Sequence, residues 1–504
     1  MGITNDSASG KDQVLSSCQI EALIANSQSI VIVDQKVLRV DAWLPYHPGG
    51  HKPIQHFIGK DATDEFIVMH SAETRQQIER YQIGRILGRW RNFVPPIQGG
   101  QNGEEGEKTP HADVDGSNNI HEHPACLEGL PQLSHERNTP EELAFLNTQT
   151  KEEISLTLDR YPSLDAPTQS DIMERYRLLY EHIHSEGLYE CHYTAYLREL
   201  GRCGLLFAIM LFFLHIEWYC ISAIFLGWFW SQMVFSAHDA AHMAITHDFF
   251  IDNLIGMIIA APIGGLSMGW WKRTHNVYHL ATNSPEHDPD NQHLPFLAYL
   301  YYPLLMLGRF NLYVQSWLYL AYGQGPRKGL AWWHRYFEIV GNLIFWAWFG
   351  YGIVYRSLPT MGTRFLYVLI LISHAVTMPL HVQFTLSHFA MSTAELGPGE
   401  SFPQRMLRTT MDVDCPEWLD WVHGGLQFQA IHHLFPRVPR HNLRRVQKLV
   451  LAFCREVGIP YALYGFVGGN RKVVGSLAEV GRQAAILAEC RRVVAGRIRR
   501  PHRL

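Results

Sequence analysis

Three clusters of metal-binding side chains stand out in this chain, because the residues within each cluster are spaced so that they would share one face of a helix. Two clusters place histidines at positions i and i+4, and the third places a glutamine ahead of histidines at i+3 and i+4. The clusters are His238 and His242, His275 and His279, and Gln429, His432 and His433. Neutral imidazole suits iron, copper and zinc, so the spacing predicts a metal centre without choosing the metal.

A second arrangement, near the N-terminus, has the residues expected for a haem site. His47 lies in a His-Pro-Gly-Gly turn, where proline fixes φ and glycine permits left-handed backbone, and His70 follows. Two neutral imidazoles on opposite faces would fill both axial positions of a haem iron, leave no site for O₂ and make the haem an electron relay. Phe57 and Phe66 would wall the crevice. Acidic residues that could steer a basic reductase are Asp61, Asp64, Glu65 and Glu73.

The 28 histidines are the unusual feature of the composition, and they are clustered more than scattered. Hydrophobic residues make up 47% of the 504 residues, and the net charge of −4 gives no indication of nucleic-acid binding. The eight cysteines are widely spaced without a CxxC pair, which predicts reduced thiols instead of disulfides or a zinc ribbon. The polar N-terminal residues predict no secretory signal, so membrane targeting must come from internal segments.

The order of apolar and polar segments predicts two folded domains joined by a linker. Strand candidates at 30–33 and 36–38, around an Asp34-Gln35 turn, indicate a small α+β domain. The predicted divisions are a haem-binding domain at 12–92, a flexible linker at 94–138, a cytosolic helical region at 139–200, a membrane domain at 201–480 and a basic tail at 481–504.

Apolar segments and the placement of the three clusters together predict about four transmembrane helices. Residues 203–236 form a hairpin or one long tilted helix, and 337–357 and 364–387 are two further spans. Segments 251–270 and 294–322 contain polar, Gly or Pro breaks and are expected to be interfacial or re-entrant. Four spans would keep the haem domain and all three clusters on one side of the membrane, whereas a single span at 203–236 would separate them.

The N-terminal region resembles cytochrome b5. The resemblance rests on the HPGG turn, the GxDAT segment that contains Asp61 and Ala62, and the second histidine, His70. It implies that His47 and His70 are the axial ligands of haem b and that NADH-cytochrome b5 reductase is the electron donor.

The remainder resembles the membrane desaturases that carry an N-terminal cytochrome b5 domain, whose boxes follow HxxxH, HxxHH and QxxHH. The resemblance implies a mainly α-helical integral membrane domain with a cytosolic histidine-rich cap, beside the α+β haem domain. It also implies two non-haem irons, O₂ as co-substrate and an endoplasmic reticulum location, with the haem domain and boxes cytosolic. The implied iron ligands are His238, His242, His275, His279, His432 and His433, with Gln429 a ligand or an outer group. Between the second and third boxes, His388 is the implied additional ligand, with His381 as the second choice.

One position departs from the desaturase pattern. The second box would have histidine at 278, where this chain has Tyr278. Phenol is a poorer ligand for ferrous iron than imidazole, so one iron is weakly held, Tyr278 itself coordinates, or a neighbouring residue substitutes. Activity could therefore be reduced or lost.

Within these desaturases, the sequence is most similar to the fungal sphingolipid Δ8-desaturases. The similarity lies in the first box with its flanks, the Gly269-Trp270-Trp271-Lys272 segment, and the residues from Pro436 to Leu443. It implies an oxidoreductase that places a Δ8 double bond in the long-chain base of ceramide. The alternatives are a Δ5 or Δ6 acyl desaturase, a cytochrome b5-fused hydroxylase, and a catalytically impaired homologue. Trp270, Trp271 and Trp421 would line the mouth of a lipid tunnel or form an interfacial aromatic belt.

Overall fold

This computed structural model describes residues 10–92, 140–284 and 297–498. The N-terminal domain is built on a three-stranded antiparallel sheet. The predicted strand pair is confirmed: Ile30–Val33 pairs with Lys36–Arg39, and Asp34 and Gln35 make the turn with φ of 50° and 59°. Gln82–Arg85 adds the third strand beside Lys36–Arg39. The helices around the sheet are Ser17–Ala25, His51–Gln55, Thr63–Met69 and Ala72–Ile78.

A tight helical hairpin carries the first histidine cluster. Helix Tyr193–His215 turns at Glu217, which has φ of 64°, and returns as Tyr219–Ala241. The turn lies inside the segment 203–236, so the hairpin alternative was the correct one. On the returning helix, a Cβ at Gly227 would come within 2.7 Å of Val376, so glycine permits close packing there.

The membrane-crossing part has fewer clear spans than the sequence predicts. Two helices in the described ranges are long and apolar enough to cross a membrane, Tyr219–Ala241 and His334–Ser357. A third candidate is the pair Phe249–Ile263 and Met268–Leu280, which is bent by 119° in agreement with the predicted break. The structure thus supports two or three spans, and the predicted count of four is not established.

The helix containing 364–387 is continuous with its neighbours but irregular. It runs as Met361–Phe365, then a π-helical stretch Leu366–Thr377, then Met378–Phe389, which ends near His388. Residues His334–Phe345 likewise continue as a π-helical stretch, Trp346–Ser357. Proline lies inside two neighbouring helical stretches, Ile259–Ile263 and Leu297–Met306, where it removes one backbone hydrogen bond.

Several helices around the third histidine cluster, called the cap below, share one apolar cluster of buried side chains. Tyr176 stacks on Phe435 with ring centroids 5.4 Å apart, and its hydroxyl donates to the backbone carbonyl of Leu434 at 2.7 Å. The third cluster is therefore held against the cap from behind. The cap helices are Ala166–Ser185, Phe402–Thr409, Gln429–Leu434 and Leu443–Val457. Further helices are Pro140–Leu158, Asp420–His423 and Phe466–Ile498. Leu297–Met306 and Gly308–Tyr322 complete the helices, and two short parallel strands, Asp412–Asp414 and Leu463–Gly465, lie beside the third cluster.

The predicted linker lies outside the described residues, as do residues 285–296 and the last residues of the predicted basic tail. The part of that tail up to Ile498 continues the long helix that begins at Phe466.

Candidate functional site

Four histidines from the three sequence clusters converge on one point. Their ligand nitrogens all lie within 4.8 Å of one another, and the residues are His238, His242, His275 and His432. Their ring centroids are 4.5 to 5.3 Å apart, except for His275 and His432 at 6.4 Å. With metal–nitrogen bonds of about 2 Å, imidazoles around one ion have centroids roughly 4.5 to 6.5 Å apart. The geometry therefore fits one four-histidine metal position.

Buried imidazole nitrogens without hydrogen-bond partners support the same conclusion. The Nε2 atoms of His242, His432 and His433 are buried and make no hydrogen bond, and neither does Nδ1 of His279. Both ring nitrogens of His388 are in the same condition. An unsatisfied buried polar atom costs about 1–3 kcal/mol, so five such side chains in one place fit a site built to bind cations.

A second group lies beside the first and contains the departing residue. His279 stacks on His433 at 4.1 Å, and His388 lies 5.0 Å from His433, measured between ring centroids. The ring of Tyr278 is 4.4 Å from that of His388 and 5.3 Å from that of His433. Three imidazoles and one phenol therefore surround this position. His279 also lies 4.6 to 4.8 Å from the rings of His242, His275 and His432, measured between ring centroids, so it lies between the two groups of side chains. Gln429 lies beside His388.

Carboxylates and a hydroxyl that sequence reasoning missed support these ligands from outside. Asp239, next in sequence to His238, lies 3.7 Å from its Nδ1 and pairs with Arg440 at 2.8 Å. Thr282 is 3.3 Å from Nδ1 of His433. Such partners fix the orientation of a ligand ring. A buried acid inside a histidine box was the signal that could have pointed to Asp239.

The short helix of the third cluster is fixed by a buried carboxylate as well. Asp412 accepts a hydrogen bond from the backbone N–H of Ala430 at 2.8 Å and another from Gln447 at 2.9 Å. Burial raises the pKa of Asp412 to about 7. These bonds hold the start of helix Gln429–Leu434, on which two candidate ligands lie.

Two other histidines, His381 and His247, do not join the two metal positions. His381 directs Nδ1 at the carbonyl of Leu305, 3.0 Å away. Both nitrogens of His247 lie close to backbone carbonyls, at 2.7 and 2.8 Å. The additional histidine that the structure brings to the clusters is therefore His388, the first choice of the sequence analysis.

The N-terminal pair has the geometry of a haem site. The ring centroids of His47 and His70 are 6.2 Å apart, and ligands on opposite sides of one iron at about 2 Å would be spaced by roughly that distance. Nδ1 of His47 lies 2.6 Å from the carbonyl of Gly50, and Nδ1 of His70 lies 3.1 Å from that of Phe66. Each ring therefore directs Nε2 away from its own backbone, as haem ligation requires.

Burial keeps both haem-site imidazoles neutral, which is the form that binds iron. It lowers the pKa of His47 to about 4 and that of His70 to about 3. Phe66 packs on His70 with ring centroids 4.4 Å apart, as predicted for a wall of the crevice. Phe57 is half-buried and packs against the apolar core of the domain, to which Phe66 also belongs.

The haem-site turn lies directly on the helix of the second cluster. A Cβ at Gly49 would come within 2.8 Å of the Asn276 side chain, and one at Gly50 within 3.7 Å of Arg273. Asn276 follows His275, one of the four converging histidines. The haem-site turn therefore contacts the residue that directly follows a candidate metal ligand in sequence.

Ion pairs hold the haem domain on the cap, and they use acids that the sequence assigned to another role. Asp64 accepts from Arg177 at 2.6 Å, and Glu65 pairs with Arg405 at 2.8 Å. Burial raises the pKa of both acids, with the arginines acting in the opposite direction. Since Asp64 is 5% and Glu65 8% exposed, the prediction that they form a reductase-docking surface is wrong. They are occupied by the chain's own cap.

An apolar cavity begins at the first cluster and extends between the helices. His238 lines it together with aromatic and aliphatic side chains, among them Trp230, Met233, Ala237, Trp270, Trp271 and Phe384. Trp421 lies instead beside Trp228, with ring centroids 5.9 Å apart. The cavity therefore offers a largely apolar space beside a candidate metal ligand.

Comparison with known families agrees with this architecture. Residues 216–465 match the fatty acid desaturase family, and residues 19–87 match the cytochrome b5-like heme/steroid binding domain. The chain belongs to the fatty acid desaturases, in the form that carries a fused cytochrome b5 domain. It is a membrane oxidoreductase with a haem-binding domain.

Several relatives are similar to this chain over nearly its whole length. A Delta 8-(E)-sphingolipid desaturase from Emericella nidulans is 52% identical, covering 96% of this chain and 97% of the relative. The enzyme of the same name from Kluyveromyces lactis is 46% identical, covering 95% and 94%. An acyl-lipid (9-3)-desaturase from Borago officinalis is 30% identical, covering 90% of each chain.

Proposed function

We propose that this protein introduces a Δ8 double bond into the long-chain base of a ceramide, with O₂ as co-substrate. The observation that carries the proposal is the contrast in similarity. Six relatives named Delta 8-(E)-sphingolipid desaturase are 42–52% identical over about 95% of the chain, whereas the relatives named for fatty-acid and acyl-lipid substrates are 28–30% identical. A Δ5 or Δ6 acyl desaturase is the less supported alternative.

The proposed cofactors follow from the two sites. His47 and His70 would hold haem b, and the boxes with His388 would hold two non-haem irons. When bound, these groups would supply one-electron transfer and O₂ activation. A separate NADH-cytochrome b5 reductase would be the electron donor. We further propose an endoplasmic reticulum membrane location, four spans, and a cytosolic side for the haem domain and boxes.

The chain's own residues would position the lipid. The cavity that contains His238 is lined almost entirely by apolar side chains, so it would bind a hydrocarbon chain and exclude water. Ala237, beside His238 in sequence, leaves room there for a methylene pair next to the metal position. Holding the reacting carbon atoms in this fixed geometry is the protein's main contribution to a reaction on unactivated C–H bonds.

A second candidate, a catalytically impaired homologue, is favoured by one observation. Tyr278 lies in the second metal position, beside His388 and His433, where the family has histidine. This alternative predicts bound haem and little non-haem iron at that position.

The test is expression of the full chain in a yeast host whose sphingoid bases are saturated, followed by mass spectrometry of hydrolysed long-chain bases. A base unsaturated at C8 would support the proposal, and the variant His238→Ala should abolish it. His381→Ala, which alters a histidine outside the clusters, is the matched control and should retain the product. Unsaturated fatty acids with unchanged bases would favour the acyl alternative, and a hydroxylated base would favour a hydroxylase.

A further inference from the structure

The guanidinium of Arg437 is buried without a counter-charge. Arg437 is 9% exposed, its Nε makes no hydrogen bond, and no hydrogen bond or ion pair links it to any residue in the described parts of the chain. Arginine stays protonated in proteins. Taking such a charge out of water is unfavourable unless an anion compensates it. Within the described residues, the site around Arg437 therefore lacks an anion that pairs with the guanidinium.

The position of Arg437 links the third histidine cluster to the haem site. Arg437 lies two residues after Phe435 and directly before Val438. The side chains of Phe435 and Val438 belong to the same apolar cluster as Val68, which lies two residues before the candidate haem ligand His70. The positive charge of Arg437 also contributes to the lowered pKa of His70. The loop after the third cluster thus lies against the edge of the haem crevice.

A second cation lies next to Arg437. Arg75, on helix Ala72–Ile78, is close enough that its positive charge adds to the burial that lowers the pKa of Arg437 and of His70. The nearby acid is Glu73, which is exposed and engaged with Ser71. Two neighbouring guanidinium groups with one exposed acid make a net positive site.

We propose that Arg437, with Arg75, binds a carboxylate at the edge of the haem and so fixes the haem edge to the third histidine cluster. Haem b carries two propionate carboxylates, and a guanidinium binds a carboxylate with two parallel hydrogen bonds. The assignment rests on the proposed haem relay. Arg437 is a positioning residue: only Leu434, Phe435 and Pro436 separate it in sequence from the candidate metal ligand His433.

The experiment compares Arg437→Gln, Arg437→Lys and wild type as full-length proteins in detergent. The readouts are haem content, the Soret spectrum and the haem reduction potential measured by spectroelectrochemistry. A nearby positive charge favours the ferrous state, so the potential of Arg437→Gln should shift to a more negative value, while Arg437→Lys should restore part of the shift. Arg80→Gln removes an exposed arginine from another part of the haem domain and should leave the potential unchanged.

Haem dimethyl ester, which lacks free carboxylates, makes the test specific. Wild type reconstituted with the ester should bind it more weakly than haem b, and Arg437→Gln should bind both equally. If the potential shift of Arg437→Gln is the same with the ester, or absent with haem b, the proposal is wrong. If Arg437→Gln fails to fold, the comparison of haem b with its ester in wild type still decides.

These readouts separate the inference from the proposed function. A haem-loaded protein that shows the potential shift but makes no unsaturated base would refute the desaturase proposal and leave the carboxylate site intact. A wild type that binds no haem would refute the relay on which both depend. A change confined to the KM for the reductase would assign Arg437 to partner docking and overturn the inference.

Discussion

Replacing Tyr278 by histidine should fill the weaker of the two metal positions. The first position has four imidazoles, whereas the second has His279, His388 and His433 with the phenol of Tyr278. Metal binding by a four-ligand protein site is worth about 10–16 kcal/mol, or about 3 kcal/mol for each ligand. One additional imidazole should therefore tighten iron binding at this position by about 100-fold. Imidazole is smaller than phenol, so the buried site can accommodate it.

The assay is non-haem iron per chain, obtained as total iron minus haem iron after dialysis against a weak chelator. Tyr278→His should raise this value from about one towards about two, and turnover on a long-chain base should rise with it. Tyr278→Phe is the matched control, since it keeps the ring and removes only the hydroxyl. Unchanged iron in Tyr278→Phe would mean that the phenol oxygen is not a ligand, and a loss of iron would mean that it is.

Equal iron content and equal turnover in wild type and Tyr278→His would refute the reasoning. In that case the second position would already be filled, and a neighbouring side chain would have to supply the missing ligand. Gln429, which lies beside His388, would then be the first residue to test.

Three further predictions follow from the haem domain and the cavity. The double variant Asp64→Asn, Glu65→Gln should slow electron transfer from haem to non-haem iron by up to about 30-fold in stopped-flow measurements, since the two ion pairs contribute about 1 kcal/mol each. The control Glu73→Gln should leave the electron-transfer rate unchanged, and an unchanged rate in the double variant would contradict docking through these ion pairs. Because burial lowers the pKa of His47 from 6.5 to about 4, the contribution of neutral His47 to folding stability should be complete above pH 6.5 and fall as the pH drops towards 4. Soret spectra should show haem retained down to about pH 4, and haem release above pH 6 would contradict this prediction. Ala237→Phe should lower turnover at least tenfold at unchanged iron content, because the ring fills the apolar cavity; an unchanged rate would place the lipid elsewhere.

The helical spacing of the boxes was enough to predict which histidines converge, because residues at i and i+4 share a helical face wherever the helix is placed. The strand pair around Asp34 was predictable for the same local reason. The role of Asp64 could not be predicted from the sequence. An acid near a haem site is expected to be an exposed charge, and its ion pair with Arg177 joins residues that are far apart in sequence. The support that Asp239 receives from Arg440 depends on the tertiary fold in the same way.

The number of spans was the other limit of sequence reasoning. Hydropathy identified the helix at 337–357. The count of four spans came from the requirement that the haem domain and the three clusters lie on the same side of the membrane. That argument assumed that each apolar segment either crosses the membrane fully or does not enter it. The bent pair Phe249–Ile263 and Met268–Leu280 does not fit this division, because helices bent by 119° are compatible with a broken span or with a re-entrant loop. The second histidine cluster lies on the second arm of that bend.

The docked haem domain also has a consequence for stoichiometry. One haem stores one electron, whereas forming one double bond with O₂ consumes two electrons beyond those taken from the lipid, so the haem must be reloaded within every catalytic cycle. Asp64 and Glu65 are covered by the cap during this time. Either the reductase reaches the haem through a face that stays open while the domain is docked, or the domain must leave and return between the two deliveries. In the second case, the lifetime of two ion pairs would set an upper limit on the rate of lipid desaturation.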